Sequence, residues 1–281
     1  MSERDSILII GESGVGKTHF GAQLLQRLMG DRGVLRMNGQ ATNLEPFEEA
    51  LESLNEGRAA AHTATSAYVD SIWPISNREG GGDARLIWPD YGGEQVRNIS
   101  AARRVPIEWV ERIKAAPSWL LLLRLQQTRA GDDIFSRPLT ELKSKTAPER
   151  EVQVSDQARM VELLQIMMFA RGVADPPLAA PRLGVLLTCW DELGSVETPQ
   201  AALAERMPML DSFIRCNWID PMVMGLSALE RPLSPTDRDA DYVARGPEEF
   251  GYVIDNDGSR NSDLTVAVER LLHGKQTGLA A

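Results

Sequence analysis

Ile7-Leu8-Ile9-Ile10-Gly11-Glu12-Ser13-Gly14-Val15-Gly16-Lys17-Thr18 decides the fold. Four apolar residues of strand length run directly into an octapeptide that satisfies G-x-x-x-x-G-K-[ST] in full. Phe20, Leu24, Leu25 and Leu28 then recur at helical spacing, which predicts a helix over 17–29. Strand, glycine loop and helix are the setting a phosphate loop needs. Its glycines let the chain curl so that backbone amides point inward at phosphates. Lys17 reaches the outer phosphates, and the Thr18 hydroxyl offers a hard oxygen to Mg²⁺. The nucleotide-contacting set expected here is Gly11, Glu12, Ser13, Gly14, Val15, Gly16, Lys17, Thr18 and the adjoining His19. At average glycine usage a chance match arises in roughly one chain in a hundred of this length, and the flanking strand and helix make it rarer still.

Outward from the loop, apolar runs of strand length alternate with helix-length segments, which predicts a βα-wound, mostly parallel sheet covered by helices on both faces. A second helix is expected over 46–54. Two strands, 68–75 and 84–89, are separated by a turn-rich linker, and both carry Ile-Trp-Pro. A proline lacks an amide donor, so each belongs at a strand end or a non-bonded edge position. Further strands are expected at 119–125, 183–188 and 222–226. Helices are expected at 106–115, 155–170, 199–214 and 264–272. Two stretches fit less well: 126–151 is charged, and 230–261 is rich in Pro, Asp, Gly and Arg. Both read as surface insertions on one domain spanning 1–281.

The composition is that of an ordinary globular chain of 281 residues, 43% hydrophobic and 25% charged, with a net charge of −10. A surface of that sign repels nucleic-acid backbones and anionic lipid, and no basic patch offsets it. No apolar run is long enough to span a bilayer, and the start has no signal-peptide core. The reading is a soluble cytoplasmic protein with Cys189 and Cys216 reduced, binding neither nucleic acid nor membrane.

The 84–89 strand leads into Asp90-Tyr91-Gly92-Gly93-Glu94-Gln95. Taken alone, D-x-x-G is an ordinary Asp-Gly turn. Beside a phosphate loop, Asp90 at a strand's C-terminal end is the carboxylate expected on the magnesium side, and Gly93 brings an amide toward the terminal phosphate. With a strand hairpin before it, this string resembles the Ras-like GTPases of the TRAFAC class. Together with Thr188-Cys189-Trp190-Asp191 further on, it resembles more closely the bacterial "double-GTPase" domains of conflict and defence systems.

The resemblance implies a P-loop NTPase fold with one antiparallel strand, and it implies GTP and GDP as ligands with Mg²⁺ as cofactor. In that pattern guanine is read by [NT]-K-x-D, here Thr188, Cys189, Trp190 and Asp191, with Asp191 accepting from two guanine donors. Cys189 stands where the pattern has a lysine that stacks over the base, and Trp190 offers an alternative flat surface. Their bland reading is packing by Cys189 and Trp190, with Asp191 capping a turn. A final element, Ser227-Ala228-Leu229, is expected to present backbone amides to the guanine carbonyl. The first switch implies a threonine on the magnesium. Thr63 and Thr65 are the candidates, with Thr63 preferred, so the metal set is Thr18, Thr63 and Asp90.

The catalytic set is Lys17, Glu94 and Gln95. Glu94 stands where the resemblance has a water-orienting glutamine. A carboxylate there adds negative charge where charge already accumulates, which implies slow intrinsic hydrolysis. Arg97, Arg103 and Arg104 follow, and read first as a solvated helix face. The function expected is therefore a slowly hydrolysing GTP switch that regulates a protein effector or answers to an activating protein. The alternatives are a P-loop kinase or ATPase, and a nucleotide-bound scaffold that does not hydrolyse.

Overall fold

β1 (Ser6–Ile10) is buried along its whole length, and its register explains why. It pairs in parallel with β4 (Asp83–Trp88) on one side and with β5 (Ser118–Leu123) on the other. A strand central to a sheet covered on both faces has no polar side, hence the unbroken apolar run. The computed structural model of the chain describes residues 6–60, 70–80, 82–88, 93–129, 154–173, 175–194 and 197–273. Asp90, Tyr91, Gly92, Thr63 and Thr65 lie outside them, as does the side chain of Glu94.

The other strands are β2 (Leu35–Met37), β3 (Ser71–Asn77), β6 (Arg182–Thr188), β7 (Met222–Ser227), β8 (Tyr252–Ile254) and β9 (Arg260–Asn261). Their spatial order is β2-β3-β4-β1-β5-β6-β7-β8-β9. β4, β1, β5, β6 and β7 form the parallel centre, and β3 runs antiparallel to its neighbours as expected. β8 is a second strand running against the rest, beyond the one antiparallel strand read from the sequence. Pro74 lies inside β3, yet its carbonyl accepts from Asn38 N just past the end of β2, so its amide-less nitrogen faces the side where pairing has stopped.

Alternate side chains along the strands feed two cores. Leu8, Ile10, Trp119 and Leu121 face the helices α3 (Gly93–Ala102), α4 (Ile107–Ala115), α5 (Asp156–Arg171), α6 (Pro199–Arg206) and α7 (Pro208–Asn217). Ile7, Ile9, Leu120 and Leu122 face α1 (Lys17–Met29), α2 (Glu45–Asn55) and α9 (Thr265–His273). One helix was expected over 199–214, but the chain breaks at Met207 (φ −134°, ψ 59°). Pro208 removes an amide and pushes the preceding residue out of the helical region. Gly21 is where α2 meets α1: a Cβ there would stand 2.3 Å from the Phe47 ring.

The 230–261 stretch departs from its expected role as a surface insertion. It supplies β8, β9 and the short helix α8 (Ala240–Arg245), and it buries Tyr242, Phe250, Tyr252 and Val253. Tyr242 and Phe250 stack with centroids 4.1 Å apart, against Ala22, Ala50 and Leu54 of α1 and α2. The polar side of α1 secures them. Gln23 Nε2 donates to Tyr242 Oη (2.7 Å) and to the Pro247 carbonyl (3.0 Å), and Arg27 donates to Gln23 Oε1 (2.8 Å) and to the Phe250 carbonyl (2.5 Å). A composition rich in turn residues concealed two aromatics, Tyr242 and Phe250, that fill one side of α1. Among the described residues, no helix is long and apolar enough to cross a membrane.

Candidate nucleotide site

Parallel strands bring their C-terminal ends to one edge of the sheet, so the loops after β1, β4, β5, β6 and β7 gather there. Gly14 and Gly16 both take φ of 80°, a left-handed turn that side-chain-bearing residues resist, and this curls the loop ahead of α1. Lys17 Nζ lies back across it, donating to the carbonyls of Gly11 (2.8 Å) and Glu12 (2.7 Å). Burial, offset in part by Glu12, lowers the Lys17 ammonium to about 8, so at neutral pH it remains mostly charged. Thr18 opens α1 next to it. A hydroxyl oxygen there is a hard donor that suits Mg²⁺, and the expected co-ligands Asp90 and Thr63 are oxygen donors too. β4 ends at Trp88 beside β1, two residues before Asp90 in the sequence.

Gly93 begins α3 in direct contact with this loop. A Cβ on Gly93 would fall 1.7 Å from Ser13 N and 2.1 Å from the Glu12 carbonyl carbon. No other residue type fits, because both obstacles are backbone. Gln95 faces α4: its Oε1 accepts from Trp109 Nε1 at 3.3 Å. Arg97 Nη2 approaches Glu12 at 3.6 Å from a mostly exposed position, Arg103 bonds Glu162 of α5 at 2.5 Å, and Arg104 is exposed.

The loop after β6 carries the residues expected to read the base. Thr188 is buried and donates to the Leu123 carbonyl (3.0 Å), joining the ends of β6 and β5. Cys189 takes a left-handed φ of 51°, and its Sγ lies 3.7 Å from where a Cβ would stand on Gly16, so it abuts the phosphate loop. Burial pushes its thiol up to about 11, leaving it neutral. Asp191 Oδ1 accepts from Ser227 Oγ at 2.5 Å, and that hydroxyl accepts from Glu230 N at 2.9 Å. The loops after β6 and β7 are thus locked to each other. Trp190 is placed differently from the stacking surface weighed for it. Its ring is buried in the core and packs on Gly225, where a Cβ would come within 2.7 Å. Ala228 and Leu229 are partly buried, packed on the core below α1.

His19 sits on the first turn of α1, and its Nε2 accepts from Ala60 N at 3.1 Å. Burial first, and the Arg124 charge second, lower its pKa, which keeps the imidazole neutral as that acceptor role requires. It thereby holds the chain that enters the segment carrying Thr63 and Thr65.

Two arginines escaped sequence reading. Arg159 of α5 binds both oxygens of Glu12 (2.6 and 2.9 Å) and also Asp156 (2.8 Å), so the phosphate loop is tied to the helix that follows the charged stretch. Arg124, just past β5, donates to the Gly14 carbonyl (3.1 Å) and grips the Glu192 carboxylate with two nitrogens. Neither belongs to a local motif, since Glu12 lies 147 residues from Arg159, and Gly14 and Glu192 lie 110 and 68 residues from Arg124. Among the described residues, no group of three or more His, Cys, Asp or Glu side chains could hold a metal.

The chain matches the Double-GTPase 1 family over residues 8–271. Methanosarcina barkeri Roco2 RocCORdC bound to GDP is similar at 15% identity and a TM-score of 0.32, over 80% of this chain and 43% of that one. The chain therefore spans less than half the length of that relative. The signal recognition particle receptor SRb-GTP/SRX complex from Chaetomium thermophilum is similar at 12% identity and a TM-score of 0.38, over 82% of this chain and 93% of that one. No curated protein matches.

Proposed function

Since the chain belongs to the Double-GTPase 1 family, a family of GTP-binding proteins, we propose that it binds GTP and GDP at this sheet edge with Mg²⁺, hydrolyses GTP slowly, and signals its nucleotide state to a protein partner. The observation that carries the guanine reading is the seating of the base-reading loop. Cys189 lies against Gly16 while Asp191 is braced by Ser227, so the Asp191 carboxylate is preorganised beside the phosphate cradle. Mg²⁺, held by Thr18 with Asp90 and Thr63, would neutralise charge on the phosphates. Lys17 supplies the cation of the loop itself, and leaving its two carbonyl partners for the phosphates completes the cradle.

The switching half of the proposal rests on Gly93. Its backbone touches Ser13 and Glu12, so a terminal phosphate arriving at the loop must act on the start of α3. Slow hydrolysis follows from Glu94 in the water-orienting position and from Gln95 being engaged with Trp109. A partner protein would then supply the missing group or free Gln95, in the bacterial defence setting that the sequence resemblance implies.

Titration of the chain with GTP, GDP and ATP, paired with single-turnover hydrolysis, tests this. GTP and GDP should bind more tightly than ATP, and turnover should fall well below the roughly 1–100 s⁻¹ of a working kinase. ATP binding as tight as GTP would hand the site to the kinase or ATPase reading. Fast hydrolysis by the chain alone would refute the slow switch.

A further inference from the structure

The base-reading loop contributes no cation. Cys189, in the lysine position, carries a neutral thiol. A cation nevertheless stands at this spot, delivered from another strand. Arg124 follows β5, which lies between β1 and β6, so its side chain starts from the gap between the phosphate loop and the base loop. Its guanidinium spans that gap. One nitrogen donates to the Gly14 carbonyl at 3.1 Å, and Nε (2.9 Å) and the second terminal nitrogen hold Glu192, the residue after Asp191. The planar fork fixes orientation as well as distance, which a lysine ammonium would not. About a quarter of the side chain remains exposed.

We propose that Arg124 is the positioning cation on the base side of the nucleotide site, taking the place that Cys189 leaves uncharged. It ties the loop bearing Asp191 to the loop bearing Lys17, so that a purine base and its phosphates are held in one register. This rests on the nucleotide reading above, and it concerns the nucleoside half of the ligand rather than the phosphate half.

The full chain and its Arg124→Ala, Arg124→Lys and Glu192→Gln variants are titrated, with Mg²⁺, against GTP, GDP, ATP and inorganic tripolyphosphate. Arg124→Ala should weaken GTP and GDP by about tenfold or more, the scale of a lost charged hydrogen-bond set, while tripolyphosphate binding stays within about twofold. Glu192→Gln should weaken the nucleotides in the same selective way, and Arg124→Lys should fall between. Adding Cys189→Lys to Arg124→Ala should recover most of the nucleotide affinity, since it returns a cation beside Gly16. An equal loss for nucleotide and tripolyphosphate would overturn the proposal and leave Arg124 as a brace of the phosphate loop. Unchanged nucleotide affinity would overturn it outright. If Arg124→Ala does not fold, Glu192→Gln and Arg124→Lys decide by the same ratio. Equal binding of ATP and GTP by the unaltered chain would instead refute the guanine reading, and the comparison of ATP with tripolyphosphate would still decide the role of Arg124.

Discussion

Replacing Gly93 by alanine adds one methyl group where the chain has no room for it. The new Cβ would lie 1.7 Å from Ser13 N, 2.1 Å from the Glu12 carbonyl carbon and 2.4 Å from Ser13 Cα. All three are backbone atoms, so no side chain can rotate aside. Reaching ordinary contact requires the start of α3 and the phosphate loop to part by about 1.7 Å. Overpacking of this kind costs about 1–3 kcal/mol, and a chain of this size loses roughly 2–4 °C of melting temperature per kcal/mol. The phosphate loop is anchored through β1, α1 and the Glu12–Arg159 pair. The displacement should therefore fall on the first residues of α3, a helix end, rather than on that loop. A backbone hydrogen bond to a charged phosphate is worth about 1.5–3 kcal/mol, so affinity for a non-hydrolysable GTP analogue should fall roughly ten- to a hundredfold while GDP changes little. Gly82→Ala is the matched control, because nothing lies within 4 Å of its Cβ position. Calorimetric melting and titration with both nucleotides make the measurement. A Gly93→Ala chain that melts with the wild type and keeps its GTP-analogue affinity would refute the contact and the switch built on it.

Lys17 should make binding pH-dependent. Burial lowers its pKa to about 8, and bound phosphates favour its charged form, so GTP affinity should be level below pH 8 and fall above it by up to about tenfold per pH unit; a flat titration from pH 7 to 9.5 would show that Lys17 does not carry the phosphates. Asp191→Asn keeps an acceptor for Ser227 Oγ but loses the charge, and should cost GTP roughly a hundredfold while sparing ATP. Equal losses for the two nucleotides would remove Asp191 from base recognition. Gln23→Leu strands Tyr242 Oη, the Pro247 carbonyl and one Arg27 contact, a loss of about 1–3 kcal/mol readable in thermal unfolding. An unchanged melting point would mean that residues 240–250 are not docked on α1.

The chain's order of elements was legible because each rests on neighbours in sequence. The predicted helix over 17–29 coincides with α1, and strands 183–188 and 222–226 fall within a residue of β6 and β7. The phosphate loop needs only its own glycines and lysine, and an apolar run flanked by helices can do little except become a buried strand. Asp191 and Ser227 were identified separately, each by its place after a strand. Their hydrogen bond was not, since it spans 36 residues and exists only because β6 and β7 are adjacent. The same limit hid Glu12 as the partner of Arg159, 147 residues away, and Arg124 as the bridge between Gly14 and Glu192. Charged side chains carry no periodic signal, so nothing in 230–261 or around Arg124 distinguishes a solvated charge from one aimed into a site. What tertiary structure decided was therefore the polar wiring: which arginine meets which carboxylate, which tryptophan is core, and which glycine is pressed against the phosphate loop. Local chain chemistry sets where strands and helices begin, but a hydrogen bond between distant residues is chosen only once the sheet has brought their strands side by side.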